Sequence, residues 1–127
     1  MICLDNFDAY YNPAIKLKNI ENFRSDPHFK LTEGDILDKK ILNTVLNDVD
    51  YIFHEAAQAG VRISVENPTK THENNATGTL TLLEAARNSD IKKIINASSS
   101  SVYGKINIFP SMKNIRPVLC PRMVFQS

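Results

Sequence analysis

A chain of 127 residues is long enough for one hydrophobic core and too short for two domains of ordinary size. Fifteen basic against fourteen acidic residues leave a formal charge of +1, which points to neither nucleic acid nor a membrane surface as partner. Cys3 and Cys120 are too few and too far apart for a disulfide framework or a zinc site, so no metal is expected. No apolar run reaches membrane-spanning length and the N-terminus has no signal-peptide layout, so a cytoplasmic protein is expected.

In chain order, Met1 to Leu4 is a short apolar run that stops at Asp5-Asn6, the pattern of a buried strand ending in a polar loop. Pro13 opens a helix expected to run to about Arg24, with Ile15, Ile20 and Phe23 as its apolar positions. Phe29 to Glu33 reads as a second strand, closed by Gly34-Asp35. Leu37 to Leu46 carries Ile41, Leu42, Val45 and Leu46 at helical spacing. Val49 to Phe53 is a third strand, ending in His54. Asn67-Pro68 marks a turn, and Thr71 to Asn88 reads as one long helix whose apolar face includes Leu80, Leu82, Leu83, Ala85 and Ala86. Ile91 to Ala97 is a fourth strand that runs into Ser98-Ser99-Ser100-Ser101. Strands alternating with helices predict an α/β fold, a parallel sheet with flanking helices.

Ligands of open parallel sheets bind at the carboxyl ends of the strands, so the candidates are Asp5-Asn6, Asp35-Ile36, His54 to Gly60 and the serine run. A carboxylate such as Asp5 at a strand end can accept hydrogen bonds from both ribose hydroxyls; it can equally cap its own loop. Asp35 can meet a nucleobase or be a plain turn residue. Ala56 and Ala57 are small where backbone must approach a dinucleotide, though small residues are common at strand ends. The serine hydroxyls can bond a sugar oxygen that is losing its proton, or simply cap a loop.

The segments LDNFDAYYNPAIK, GDILD, YIFHEAAQAGVRISVENP, NNATGTLTLLEAAR and IINASSSSVYGK resemble, in order and at matching spacing, successive motifs of the extended short-chain dehydrogenase/reductases, the NAD-dependent epimerase/dehydratase family. The resemblance runs from Ile2 to about Ile106, and AQAGVR with the fourfold serine looks most like the UDP-glucuronate and UDP-glucose 4-epimerases. It implies NAD as cofactor, a nucleotide sugar as substrate and a homodimeric parent enzyme. By the same resemblance Asp5 and Asn6 would hold the adenosine ribose, and Asp35 with Ile36 would flank the adenine. Ala56, Ala57, Asn75 and Ser98 would line the pyrophosphate and nicotinamide side. Ser99 aligns with the catalytic Ser/Thr, and Arg62 and Ser100 would face the substrate; an exposed ion pair is the alternative for Arg62. Glu55 departs from the pattern, which has an apolar residue there. The implied reaction removes the proton of the sugar 4-hydroxyl through a tyrosine phenolate, passes hydride from carbon 4 to NAD, and returns it to the other face of the 4-keto sugar.

Measured against that family, three parts are missing: the first, central strand with its glycine-rich turn, the Tyr-x-x-x-Lys pair, and the C-terminal substrate domain. Residues 1–106 are thus expected to form a partial Rossmann-like domain whose sheet is broken between the strands at Ile2 and Tyr51, and to be inactive alone. Residues 107–127 form an irregular tail. Its codons, read one base out of frame, allow the string KYLPFDEEHPTSPVSPYGVSK, which resembles the family's next segment and carries Tyr-x-x-x-Lys. A frameshift near Ile106 is therefore expected. A nucleotide-sugar dehydratase or reductase is the alternative parent, and a non-catalytic nucleotide-binding module the alternative of another class.

Overall fold

The computed structural model describes residues 1–99 and 102. Strand β1 (Ile2–Asp5) leads through helix α1 (Pro13–Ile20) and a single 3-10 turn (Glu21–Phe23) to β2 (Lys30–Glu33). Asn12 caps α1 by accepting from the Ala14 N–H, and Pro13, which has no N–H to leave unpaired, takes the first helical position. Helix α2 (Lys39–Val45) is capped by Asp38, whose carboxylate accepts from the Lys40 and Ile41 N–H groups. Strand β3 (Tyr51–His54) follows, and β4 (Lys93–Asn96) closes the described elements.

Between β3 and β4 the chain differs from the sequence expectation. A short helix α3 (Val61–Glu66) forms where only loop was expected, entered at Gly60 with φ +102°, a left-handed conformation that favours glycine. The long helix expected over 71–88 is three pieces: α4 (Pro68–His72), a π turn (Glu73–Thr77) and α5 (Gly78–Arg87). Asn67-Pro68 is the start of this helical run, with the Asn67 side chain accepting from the Lys70 N–H. Likewise α1 ends at Ile20, four residues before the expected limit at Arg24, where the coil tightens to 3-10 geometry.

The strands form two parallel two-stranded sheets, β1 with β2 and β3 with β4. Ile2 to Asp5 stand opposite Lys30 to Glu33, and Tyr51 to His54 opposite Lys93 to Asn96. No described strand joins β1 to β3, so the sheet is interrupted at the place the sequence indicated. One core nevertheless serves both halves. Leu42, Val45 and Leu46 from α2 and its C-cap, Ile52 of β3, and Leu82, Ala85 and Ala86 of α5 are buried together, with Leu4 of β1 and Ile94 of β4 packed against them. Helix α2 lies directly against α5. The opposite face of β3 is bare: Tyr51 is 56% and Phe53 70% exposed.

Candidate functional site

The carboxyl ends of β1 and β2 bring four of the expected residues together. Asp5 closes β1, and its Oδ1 accepts from the Phe7 N–H at 2.7 Å and from Lys16 Nζ at 2.8 Å. Both described bonds fall on the same oxygen, which leaves Oδ2 for a further donor. Phe7 adopts φ 51° beneath this bond, so the loop turns sharply away from the strand end. Asn6 Nδ2 donates to Asp35 Oδ2 at 2.9 Å, and Asp35 Oδ1 accepts from the Leu37 N–H, fixing the loop after β2 beside the loop after β1. Ile36 turns toward α5: its Cδ1 lies 2.5 Å from where a Cβ on Gly78 would stand. Sequence reasoning missed Lys16, a cation in contact with the ribose candidate.

A second group sits at the ends of β3 and β4. A cavity of about 260 Å³ is lined by His54, Glu55, Ala56, Ala57, Asn75 and Asn96, among others. Ala56 and Ala57 are exposed there and Glu55 faces solvent, so its charge is not buried. Asn75 is buried; its Oδ1 accepts from the Gln58 N–H at 2.7 Å and its Nδ2 donates to the Gln58 carbonyl at 3.1 Å. That paired bond satisfies the Gln58 backbone as a neighbouring strand would. The amide of Asn75 is thus committed to holding the loop that carries Ala56 and Ala57.

The π turn explains how Asn75 reaches inward. One extra residue in the turn rotates the side chains around the helix axis, and such bulges concentrate at functional sites. The Asn75 carbonyl accepts from the Thr79 hydroxyl at 2.6 Å, and Thr79 Oγ1 lies 2.8 Å from His54 Nε2. A hydroxyl has one proton, and here it goes to Asn75, so His54 Nε2 donates and carries the ring proton. Burial holds the His54 imidazole below its ordinary pKa, with a smaller opposing pull from Glu55. His54, Thr79, Asn75 and Gln58 form one polar chain from the end of β3 to the loop after it. The sequence showed Asn75 as a candidate and gave no sign of its partners, which stand 17 and 4 residues away.

Ser98 is exposed and Ser99 half-buried, just past β4. The Ser99 carbonyl accepts from the Val102 N–H. Ser100, Tyr103 and the segment 107–127 lie outside the described residues. Arg62, on α3, pairs through Nε with Glu66 at 2.8 Å and is 89% exposed. Two contacts tie the halves at their carboxyl ends. Lys70 Nζ meets Asp8 Oδ2 at 2.8 Å, and the Tyr10 hydroxyl lies 2.7 Å from the Cβ position of Gly60. Among the described residues no cluster of His, Cys, Asp or Glu has the makings of a metal site, and no helix is long and apolar enough to cross a membrane.

This arrangement, with acidic and amide groups at one pair of strand ends and small residues, a buried asparagine and serines at the other, fits a dinucleotide lying along the carboxyl edge of a parallel sheet. The family model described as GDP-mannose 4,6 dehydratase matches residues 5–122. The chain belongs to this family. It is 39% identical over 107 residues to UDP-glucuronate 4-epimerase 1 of Arabidopsis thaliana, covering 82% of this chain and 25% of that protein. A crystal structure of UDP-glucuronic acid 4-epimerase from Bacillus cereus with UDP-glucuronic acid and NAD superposes with a TM-score of 0.81 at 30% identity, over 92% of this chain and 37% of that one. The dTDP-glucose 4,6-dehydratase DesIV of Streptomyces venezuelae, with NAD and TYD bound, gives 0.79 at 30% identity, over 92% of this chain and 35% of that one. Family membership thus rests on sequence and fold together. The chain spans a third or less of the length of the curated relatives it matches.

Proposed function

We propose that this chain is part of an NAD-dependent nucleotide-sugar 4-epimerase acting on a UDP-sugar, and that it does not turn over substrate by itself. The observation that carries the reading is the division of the strand-end residues into two sets. Asp5, with Oδ2 open to a donor, Asn6 and Asp35 suit the two hydroxyls of an adenosine ribose and the adenine beside it. Ala56 and Ala57 leave room for backbone to approach the pyrophosphate and nicotinamide ribose, on a loop that Asn75 holds from behind. Ser98 closes the nicotinamide side, and Ser99 would bond the sugar 4-hydroxyl and orient it for proton loss. Arg62 and Ser100 are assigned to the substrate's charged and hydroxyl groups; Arg62 would have to leave Glu66 to do so, at little cost for so exposed a pair. NAD, when bound, accepts hydride from carbon 4 of the sugar and returns it.

The epimerase reading is favoured over a dehydratase by the relatives named UDP-glucuronate 4-epimerase and by Ser100 and Ser101 after Ser99, where a dehydratase would carry acidic residues. Inactivity follows from the base: none of the four tyrosines in the sequence has a lysine four residues on. Residues 107–127 are proposed to be an out-of-frame translation of the segment that holds this pair.

The nucleotide sequence of the locus, followed by expression of the frame-corrected product, tests both statements. One restored base is expected to encode Tyr-x-x-x-Lys, and the corrected protein with NAD is expected to convert UDP-glucuronate to its C4 epimer. A stop codon or no Tyr-x-x-x-Lys in the shifted frame overturns the frameshift. A 4-keto-6-deoxy product from a nucleotide hexose overturns the epimerase assignment.

A further inference from the structure

The interruption between β1 and β3 has backbone rims whose orientation can be read from the hydrogen bonds on their far sides. In a strand, the N–H and C=O of alternate residues point to opposite edges. The Met1 and Asp5 carbonyls accept from Lys30 and Gly34, so Ile2 and Leu4 turn their backbone groups away from β2. The Asp50 and His54 carbonyls accept from Lys92 and Ala97, so Tyr51 and Phe53 turn theirs away from β4. Neither set is taken up by another described strand.

The two rims belong to one slot. Helix α2 packs on α5 across one face, and the shared core holds Leu4 of β1 with Ile52 of β3. The Asp8–Lys70 ion pair and the Tyr10–Gly60 contact bring the loops after β1 and β3 together, so both rims end on the same side and run in the same direction. Parallel sheets are covered on both faces, whereas here Tyr51 and Phe53 stand 56% and 70% exposed on the face without α2 and α5.

We propose that the slot between β1 and β3 binds a separate polypeptide segment: one apolar β-strand, parallel to both rims, that runs through a tight turn into an amphipathic helix. The strand joins the Ile2 and Leu4 backbone groups on one side to those of Tyr51 and Phe53 on the other. Its side chains are apolar on both faces because one face meets the Leu4–Ile52 core and the other lies among exposed aromatics. The helix is needed on the Tyr51–Phe53 face, since the opposite face is already covered. This binding goes beyond the enzymatic reading and does not depend on which sugar, or whether any sugar, is the substrate.

The full chain is mixed with a designed segment of about 25 residues: a short Val/Ile strand, a Gly-Ser turn and an amphipathic helix. The control segment carries proline at alternate strand positions, which removes the donors for one rim. Amide exchange and native mass are read together. The expected result is a one-to-one complex in which exchange at Leu4, Tyr51 and Phe53 slows by at least about tenfold, with no slowing by the control. The proposal is overturned if these amides stay unprotected, if the proline control protects them equally, or if they are already protected in the chain alone. In that last case a second copy, or residues beyond 102, fills the slot. If the chain is insoluble alone, co-expression with each segment replaces mixing; insolubility with both overturns it.

Discussion

Thr79 stands between His54 and Asn75 with a single hydroxyl proton, and its direction sets the protonation of the histidine. Because the hydroxyl donates to the Asn75 carbonyl, the imidazole is held neutral with its proton on Nε2. The unfolded chain takes up a proton at this residue near pH 6.5, while the buried native ring resists until lower pH. Stability should therefore fall as pH drops below 6.5, by at most about 1.4 kcal/mol per unit, and level off once the native ring is also protonated. Urea midpoints at closely spaced pH values give the slope, and His54→Gln, which keeps a donor toward Thr79, should flatten it. Asn75→Ala would strip two bonds from the Gln58 backbone and leave a buried N–H unpaired, at a cost of about 2–3 kcal/mol. Exchange at the Gln58 amide should quicken in that variant; an unchanged rate would mean the loop is held by other contacts. Asn75 was legible in the sequence as a strand-end candidate. That its amide serves the backbone of Gln58 was not, because hydrogen bonds between loop and helix leave no mark in spacing.

At the scale of elements, the piece between α4 and α5 departs most from the sequence reading. Apolar periodicity shows which face of a helix is buried, but it averages over a turn and does not register one inserted residue, so 71–88 read as a single helix. The π turn ends at Gly78, where Ile36 from the loop after β2 comes within 2.5 Å of the missing Cβ. The glycine thereby fastens one half-sheet's loop to the other half's helix. Gly78→Ala should destabilise by about 1–3 kcal/mol despite the better helix propensity of alanine. In a double-mutant cycle Ile36→Val should recover part of that loss; full additivity would show that the two side chains do not compete for space. The helix starts, by contrast, were legible: Asn12-Pro13 and Asn67-Pro68 both open helices, since each pairs a side-chain acceptor with a residue that has no N–H to satisfy.

For the whole molecule the question is whether two half-sheets without a shared strand fold as one unit. Leu42 is fully buried in a cluster that takes residues from β1, α2, β3, α5 and β4, so both halves depend on it. Leu42→Ala should cost about 2.7–5 kcal/mol, a large part of the stability of a domain this size, and should loosen β1–β2 and β3–β4 together. Exchange protection lost in only one pair would show that the halves are independent. The sequence by itself determined the α/β class, the parallel order of the strands, the helix starts and the strand-end residues, because each follows from local periodicity, capping chemistry or turn residues. Only the tertiary structure decided that Asn6 meets Asp35, that Asn75 braces Gln58, that α2 and α5 share one core and that β1 and β3 present unpaired rims to each other. Those outcomes depend on which distant groups come within hydrogen-bonding or packing distance once the helices dock. No local pattern carries that information.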